Sequence, residues 1–486
     1  MIDPKETNPL YDLFAPAWKA NRDFAEMHEH ILRQGDYLER MGKGTSIQEP
    51  SGQFNWRKAA SFAMDYCADL VDLRVGNLFL SAPQRSYDDS PYKAFIDEFL
   101  ADVDGAGTSM DEFMRKAVRE QYVNGVDIII DKTAAPEGTQ PRTLADEQTL
   151  GIRPVAMLRG PLERVDWSAD HAGRYLWVRY SLGCEPRKGE ADAYGAERFL
   201  TLTPNGWTLY RVSEEGEVQA VEGQTNPAEL PVVPFYYTES ANPNYSKIPL
   251  GCLTRVTPVA KAMLNLLSQG QLDLYMAIGI LTVTGVDADK LPTEIGPMCW
   301  VALPEGATTG QIAPQVAHVA EKREWLALMT STMLRMGKVT GWSGADNRAS
   351  SGFQVVAERT DLDNEMKSTA ARCEYVEREV VRLAVQRREG KPVAPEALGY
   401  SVEYNRKFVL SGLDDILKQA QAFLDLNVQE QVPGLAQAMT RRVLDQVMRP
   451  TDPRYAEIAQ QIADAQWDIA VSPAPFAPQA PTDGMQ

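Results

Sequence analysis

The stretch ADVDGAGTSMDEFMRKAVREQYVNGVDIIID, residues 101–131, changes character twice, and its reading decides what kind of fold follows. It opens with acids and glycines in the manner of a ligand loop. An EF-hand loop spaces oxygen ligands at alternate positions around a central glycine and closes on a bidentate acid. Here Asp102 and Asp104 are followed at once by Gly105, and no later acid keeps that register. A dinucleotide fingerprint fails too, because no strand runs directly into Gly105-Ala106-Gly107 and the third glycine is missing. Ser109 followed by Glu112 reads instead as a capping box, in which each side chain satisfies a free backbone donor, with Phe113, Ala117 and Val118 as the apolar face behind it. The helix is predicted to end at Asn124-Gly125, after which the β-branched run from Val126 to Ile130 favours a strand. The segment is architecture: a capped helix turning into a strand.

At 486 residues the chain exceeds the size that one hydrophobic core usually serves, so two or three domains are expected. Asp3, Lys5, Glu6 and Asp12 interrupt the opening residues, so no secretory leader is expected. The most apolar region, Leu272 to Val286, contains Asp273 and falls short of the roughly 20 residues that a membrane helix needs; no membrane partner is expected. Cysteines at 67, 184, 252, 299 and 373 are scattered and odd in number, which predicts reduced thiols, with neither a disulfide framework nor a metal pair. The formal charge is −18, from 67 acids against 49 Lys and Arg. A protein gripping nucleic acid over a broad surface needs the opposite balance, because phosphate neutralisation supplies most non-specific affinity. An acidic chain meets DNA by guiding it rather than holding it.

Along the chain, Phe54 to Leu80 reads as one helix with Phe62, Tyr66, Leu70 and Leu73 on its buried face. From about 151 the period falls to two. Val155 to Leu158, Tyr175 to Tyr180, Arg198 to Thr203, Trp207 to Val212 and VVPFYY at 232–237 are predicted strands of a mainly antiparallel β region, with a turn at Pro204-Asn205-Gly206. Thr257-Pro258 then starts a long helix, as N-cap and first residue, running through Ala260, Met263, Leu264, Leu267, Leu274, Ile278 and Leu281. A proline-bearing stretch with one short predicted strand, MCWVAL at 298–303, separates it from a second long helix that begins near His318 and carries Trp325, Met329, Met333 and Met336. GKVTGWSGADNRASSG, residues 337–352, has few large apolar groups and is expected to be a mobile loop. Phe353 to Arg387 resumes as a helix with Asp363/Lys367 and Glu374/Arg378 spaced for ion pairs. A further helical group runs from Leu413 to Trp467, and the proline-rich tail VSPAPFAPQAPTDGMQ has no core to join. Two long helices flanking a small module are an unusual layout for an enzyme.

The usual catalytic constellations are missing. His28 and His30 are two apart on a helix and point in different directions, unlike the pair of an HExxH site. His171 beside Asp170 falls in a turn, and His318 at a helix start. Gly341-Trp342-Ser343-Gly344-Ala345 misplaces the final glycine of a nucleophile elbow. Met41-Gly42-Lys43-Gly44-Thr45 lacks the spacing of a phosphate loop. Asp361/Asp363 and Asp102/Asp104 read as solvated acids. No catalytic residue, cofactor or metal is nominated.

Taken in order, the pieces resemble the portal proteins of tailed bacteriophages, which form the ring at one vertex of the capsid. The likeness runs from about residue 35 to 400 and is carried by DVDGAGTSMDEFMRKAVREQYVNGVDIIID, by RPVAMLRGPLERVDW (153–167), and by LLSQGQLDLYMAIGILTVTG followed by CWVALPEGA (299–307). The resemblance implies an α+β portal fold: N-terminal helices and a β-rich wing over 1–250, a first stem helix at 251–283, a small α/β clip at 284–317 and a second stem helix at 318–336. It further implies a tunnel loop at 337–352, a wing-crossing helix at 353–400, a helical crown at 401–469 and a disordered tail at 470–486. The family is not enzymatic. Its members assemble as rings, usually of twelve copies, in the virion between capsid and tail. They meet capsid or scaffolding protein, the terminase large subunit and a head-to-tail adaptor, and double-stranded DNA passes through them. Lys338, Trp342 and Arg348 are the candidates for facing that DNA. Another ring-forming virion component and an intracellular enzyme of a different class stay open as alternatives.

Overall fold

The computed structural model describes residues 3–26, 37–44, 48–133, 143–185, 195–225, 227–242, 245, 247–276, 280–284, 308–312, 317–338, 352–406, 441, 444 and 457–461. The chain divides into two compact units, Met1–Phe408 and Val409–Gln486. In the second unit only residues 441, 444 and 457–461 are described, so the expected crown and tail lie almost wholly outside the described residues.

The first unit opens with helices α1 (Pro9–Glu26), α2 (Ser51–Ala60) and α3 (Tyr66–Leu78), then strand β1 (Gln84–Ser86), α4 (Lys93–Ala101) and α5 (Met110–Val123). Next come β2 (Val126–Lys132), α6 (Leu144–Thr149) and β3 (Pro154–Arg159). Strands β4 (Arg164–Ala169), β5 (Tyr175–Cys184), β6 (Glu197–Leu202), β7 (Gly206–Val212) and β8 (Val218–Gln224) form an antiparallel five-stranded sheet in sequence order. β9 (Val232–Phe235) pairs with β2, whose other side holds β3. A small ladder, β10 (Thr238–Glu239) with β11 (Pro249–Leu250), leads to α7 (Thr257–Met276). Between α7 and α8 (Ala317–Met336), strands β12 (Ile280–Thr284) and β13 (Thr308–Ile312) pair antiparallel. The last long element, α9 (Gly352–Glu389), precedes β14 (Ser401–Glu403), which returns to β1. The expected α+β class is what these elements make.

The 101–131 stretch folds by local chemistry. Asp102 accepts the Gly105 and Gly107 N–H groups at 2.9 Å, and Asp104 that of Ala106 at 2.9 Å, so the acids staple their own loop. Ser109 accepts the Glu112 N–H at 3.4 Å. The expected return bond from Glu112 is not made, because its carboxylate goes one turn along α5 to Lys116 at 2.9 Å. Only half of the capping box forms. Gly125, at φ 89°, turns α5 into β2; a Cβ there would lie 2.8 Å from Pro249. The strand then runs through Ile128, Ile129 and Ile130, all fully buried.

Two predicted helices change in the structure. Phe54 to Leu80 is two helices, broken at 61–65, where Ser61 turns its hydroxyl back onto the Lys58 carbonyl at 3.0 Å and the backbone becomes extended. Short polar side chains compete for backbone partners in this way. The break leaves Phe62 exposed, while Leu70 is buried as predicted. The helix from Thr257 ends at Met276, and Leu281 lies in β12, paired opposite Gln311: the β-branched ILTVT run takes a partner strand in place of another helical turn. α7 also begins at Thr257 itself, whose buried hydroxyl finds no partner, so it is not the cap. Strands β4 and β8 were not foreseen; β8 is exposed almost throughout and has no apolar alternation to read. The MCWVAL strand lies outside the described residues.

α9 is the axis of the main core. Met366, Ala370, Cys373, Val380, Val381, Ala384 and Val385 are fully buried against α4, α5 and β2, in one cluster with Ile96, Met114 and Val118. Each large apolar side chain removed from water there contributes about 1.5–3 kcal/mol. The expected Glu374/Arg378 pair is displaced: Glu374 pairs with Arg406 at 2.5 Å and accepts the Tyr404 N–H, which ties the chain after α9 back onto it. A second core lies under the five-stranded sheet, where Trp18 of α1 meets Ile129, Trp167, Val178, Tyr180 and Leu202.

Candidate functional site

The described residues that bear on the 337–352 connection converge on one buried arginine. Arg74 occupies the inner side of α3, one turn after Leu70, and is 1% exposed. Its Nη1 donates to the Leu70 carbonyl at 2.7 Å, its Nη2 to the Gly337 carbonyl at 2.5 Å, and its Nε to Glu365 Oε1 on α9 at 3.1 Å. The guanidinium also lies 5.7 Å from the centre of the Tyr122 ring, whose hydroxyl donates to Thr369 at 3.1 Å. Burial works against the Arg74 charge, yet its neighbours, Glu365 among them, leave its pKa above the ordinary value.

Lys338 completes the arrangement. The Gly337 N–H donates to the Met333 carbonyl at 2.8 Å and the Lys338 N–H to the Arg335 carbonyl at 3.0 Å, closing the C-terminal turn of α8. Lys338 itself sits at φ 56°, a left-handed position that costs an L-residue about 1–2 kcal/mol. Its Nζ lies 3.1 Å from Glu365 Oε2 and is partly open to solvent. One carboxylate thus stands between a sealed cation and a half-exposed one, and the two flanks of residues 339–351 are fastened to α3 through it. Of the three DNA-facing candidates, Lys338 is at this junction, while Trp342 and Arg348 lie outside the described residues.

The junction offers anchorage and a positive charge, without a nucleophile. Burial pushes the thiols of Cys67 and Cys252 up to about 12 and about 11, so both are protonated at neutral pH. Burial likewise raises Tyr122, and burial with Glu365 raises Tyr237. Sequence reasoning missed Arg74 and Glu365. The signal was present in α3, where a charged residue follows Leu70 by one turn on the face predicted to be buried.

Two other polar clusters resemble active sites in composition only. Arg164, buried completely, donates to the hydroxyls of Tyr175 and Tyr236 and to the Lys247 carbonyl, while Asp127 accepts from Tyr180 and Tyr236 at 2.8 and 2.5 Å. The side chains of this cluster come from strands of both larger sheets and from Tyr236 just after β9, and the Arg164–Asp127 pair at its centre is sealed. Glu377, also sealed, holds Arg85, Tyr400 and Tyr404, joining α9 to β1 and β14. His171 lines a shallow cleft of about 710 Å³ with Asp170, Glu239 and Asn242. Among the described residues no group of His, Cys, Asp and Glu could hold a metal ion, and no helix is long and apolar enough to cross a membrane.

No protein-family model and no curated protein matches the sequence. Among solved structures, the chain is similar to a component of the neck of an empty gene transfer agent particle computed with C6 symmetry, at 8% identity and a TM-score of 0.40, over 82% of this chain and 93% of that one. It is also similar to a component of the virion of a native gene transfer agent particle, at 10% identity and a TM-score of 0.39, over 79% of this chain and 91% of that one. At TM-scores of this size neither likeness fixes the chain's fold or role.

Proposed function

We propose that the chain is a portal subunit: one member of a ring, usually of twelve, at a single capsid vertex, serving as the conduit for DNA during packaging and ejection. The observation that carries the reading is the succession α7, paired strands β12 and β13, α8, the polar segment 339–351 and the long α9. Each of the two helices before the segment has 20 residues, so each spans about 30 Å. They pack together, with Lys322 of α8 bonded to Asp273 of α7. A stiff helical pair capped by a small β module suits a stem that ends in a docking tip. The order also matches the pieces on which the portal resemblance rests.

Charge supports the same reading. Twelve copies at −18 each carry −216, a field that repels the DNA backbone and keeps it from adsorbing. Few cations are then needed to steer the duplex, and Lys338, Trp342 and Arg348 on one connection are placed together by sequence to meet it. The chain makes and breaks no bond in this role. Terminase supplies ATP hydrolysis and docks on the tip, and the head-to-tail adaptor and capsid or scaffolding protein bind elsewhere on the ring.

Native mass spectrometry with end-on negative-stain images tests the reading. Twelve chains of 53.9 kDa predict a particle of about 650 kDa with a central channel. A particle without a channel, or a monomer even with capsid and scaffolding protein present, would overturn it. Deleting residues 338–351 is expected to leave rings intact and impair DNA filling or retention in a packaging assay. Normal filling would remove the role assigned to the segment.

A further inference from the structure

α8 exposes large apolar side chains that no described residue covers: Trp325 is 59% exposed, Leu328 55% and Met336 46%. With about 3.6 residues per turn these three and Arg335 share one side of the helix, next to the side that buries Met333. Arg335 has no acidic partner among the described residues. Such a face calls for a partner.

α3 presents a matching stripe. Asp65 at its start, then Asp69, Asp72 and Gly76, all exposed, follow one line along the helix, with exposed Phe62 and Met64 before it and Leu80 after it. Asp72 pairs with Arg119 at 3.5 Å, whereas Asp65 and Asp69 make no ion pair among the described residues. Burial, then the nearby Asp69 and Asp72 charges, push the Asp65 carboxyl above its ordinary range. Gly76 is unexplained inside the subunit: a Cβ there would meet nothing within 4 Å. A mid-helix glycine costs about 1 kcal/mol against alanine, and close approach of another helix accounts for keeping it.

The two faces cannot meet within one chain. The inner side of α3 already holds the end of α8, through Arg74 on the Gly337 carbonyl and Leu70 against Gly337. The acidic stripe points the opposite way. We propose that Asp69 and Gly76 of α3, with Phe62 and Asp65 just before it, form a face that in one copy receives the Trp325–Leu328–Arg335–Met336 face of α8 from the next copy. Apolar residues bury each other, and Arg335 comes to the unpaired aspartates. Because the two surfaces differ, the contact is head-to-tail, which is the kind that closes a ring. The inference rests on the ring reading above.

The test uses the full chain with Cys184 and Cys299 changed to serine. Asp69→Cys and Arg335→Cys, alone and together, are treated with a short bismaleimide. The double variant is expected to give a ladder of covalent oligomers, and each single variant none. In parallel, Gly76→Leu places bulk where the isolated subunit has open space. It is expected to keep the wild-type circular dichroism, to match the melting temperature of the wild type diluted below its assembly concentration, and to lose rings at concentrations where the wild type is fully assembled. If wild-type rings form while Gly76→Leu assembles normally and no ladder appears, this contact is wrong and the ring reading stands. Dimers from Arg335→Cys alone would overturn it in favour of α8 pairing with itself. A wild-type chain that never forms rings would overturn both.

Discussion

Arg164 and Arg74 are the same side chain put to two uses. Around Arg164 every partner is internal: tyrosine hydroxyls, a backbone carbonyl, the Trp167 ring at 4.6 Å and the buried Asp127. That cluster joins β2 and β9 to β4 and β5, and its two charged groups, Arg164 and Asp127, are both sealed from water. Around Arg74 the partners are a helix end and a carboxylate whose second oxygen faces the half-exposed Lys338. A sealed hub makes a rigid joint, and a hub with one open side makes an anchor whose far end stays available. The second kind belongs where a connection must leave the core and do something.

The largest loss is expected at Arg164. Arg164→Ala leaves Asp127 buried without a cation, and a loss of about 3–5 kcal/mol is expected in urea unfolding. Arg74→Ala should cost less, near the lower end of that range of about 3 kcal/mol, because Lys338 still faces Glu365. It should also speed amide exchange at the end of α8, which Arg164→Ala at matched stability should not do selectively. Equal losses without that difference would collapse the distinction. Ser109→Ala removes a cap from α5, far from both hubs, and should cost about 1 kcal/mol.

Lys338→Gly should be close to neutral. Removing the left-handed lysine relieves about 1–2 kcal/mol, and losing a half-exposed ion pair costs about 0–1 kcal/mol. A clear destabilisation would mean that the lysine is part of a sealed hub after all. The smallest effect concerns acid. Burial opposes the Asp102 charge, but the Gly107 N–H, Arg153 and the Gly105 N–H outweigh it and hold the carboxyl below its ordinary range. Its contribution is therefore present above the unfolded carboxylate value and is lost as pH falls through the lower folded one. Asp102→Asn should flatten that acid limb of a stability–pH curve.

Much of the fold was legible because it is written in short-range chemistry. The Ser109 cap, the Gly125 turn and the β-branched 126–130 run need only neighbours a few residues away, and all three stand where expected. α8 and α9 were legible from periodicity over long spans. The break at 61–65 was not, because the apolar spacing continues across it and only Ser61's choice of backbone partner ends the helix. Leu281 was misplaced because an apolar β-branched run fits a helix end as well as a strand until Gln311 pairs with it. At the candidate site Lys338 was visible as a cation in a polar connection. Arg74 and Glu365 were not, since 291 residues separate them in the chain.

The sequence by itself determined the elements and their order, the acidic balance and the absence of familiar catalytic spacing, since these follow from residue type and local separation. Only the tertiary structure decided which charges are sealed and which stay open, and which helix faces are left exposed by the described residues. Those are properties of solvent access. The same arginine reads identically in sequence whether its partners are buried tyrosines or a carboxylate at the edge of water, and only the packed chain settles which it has.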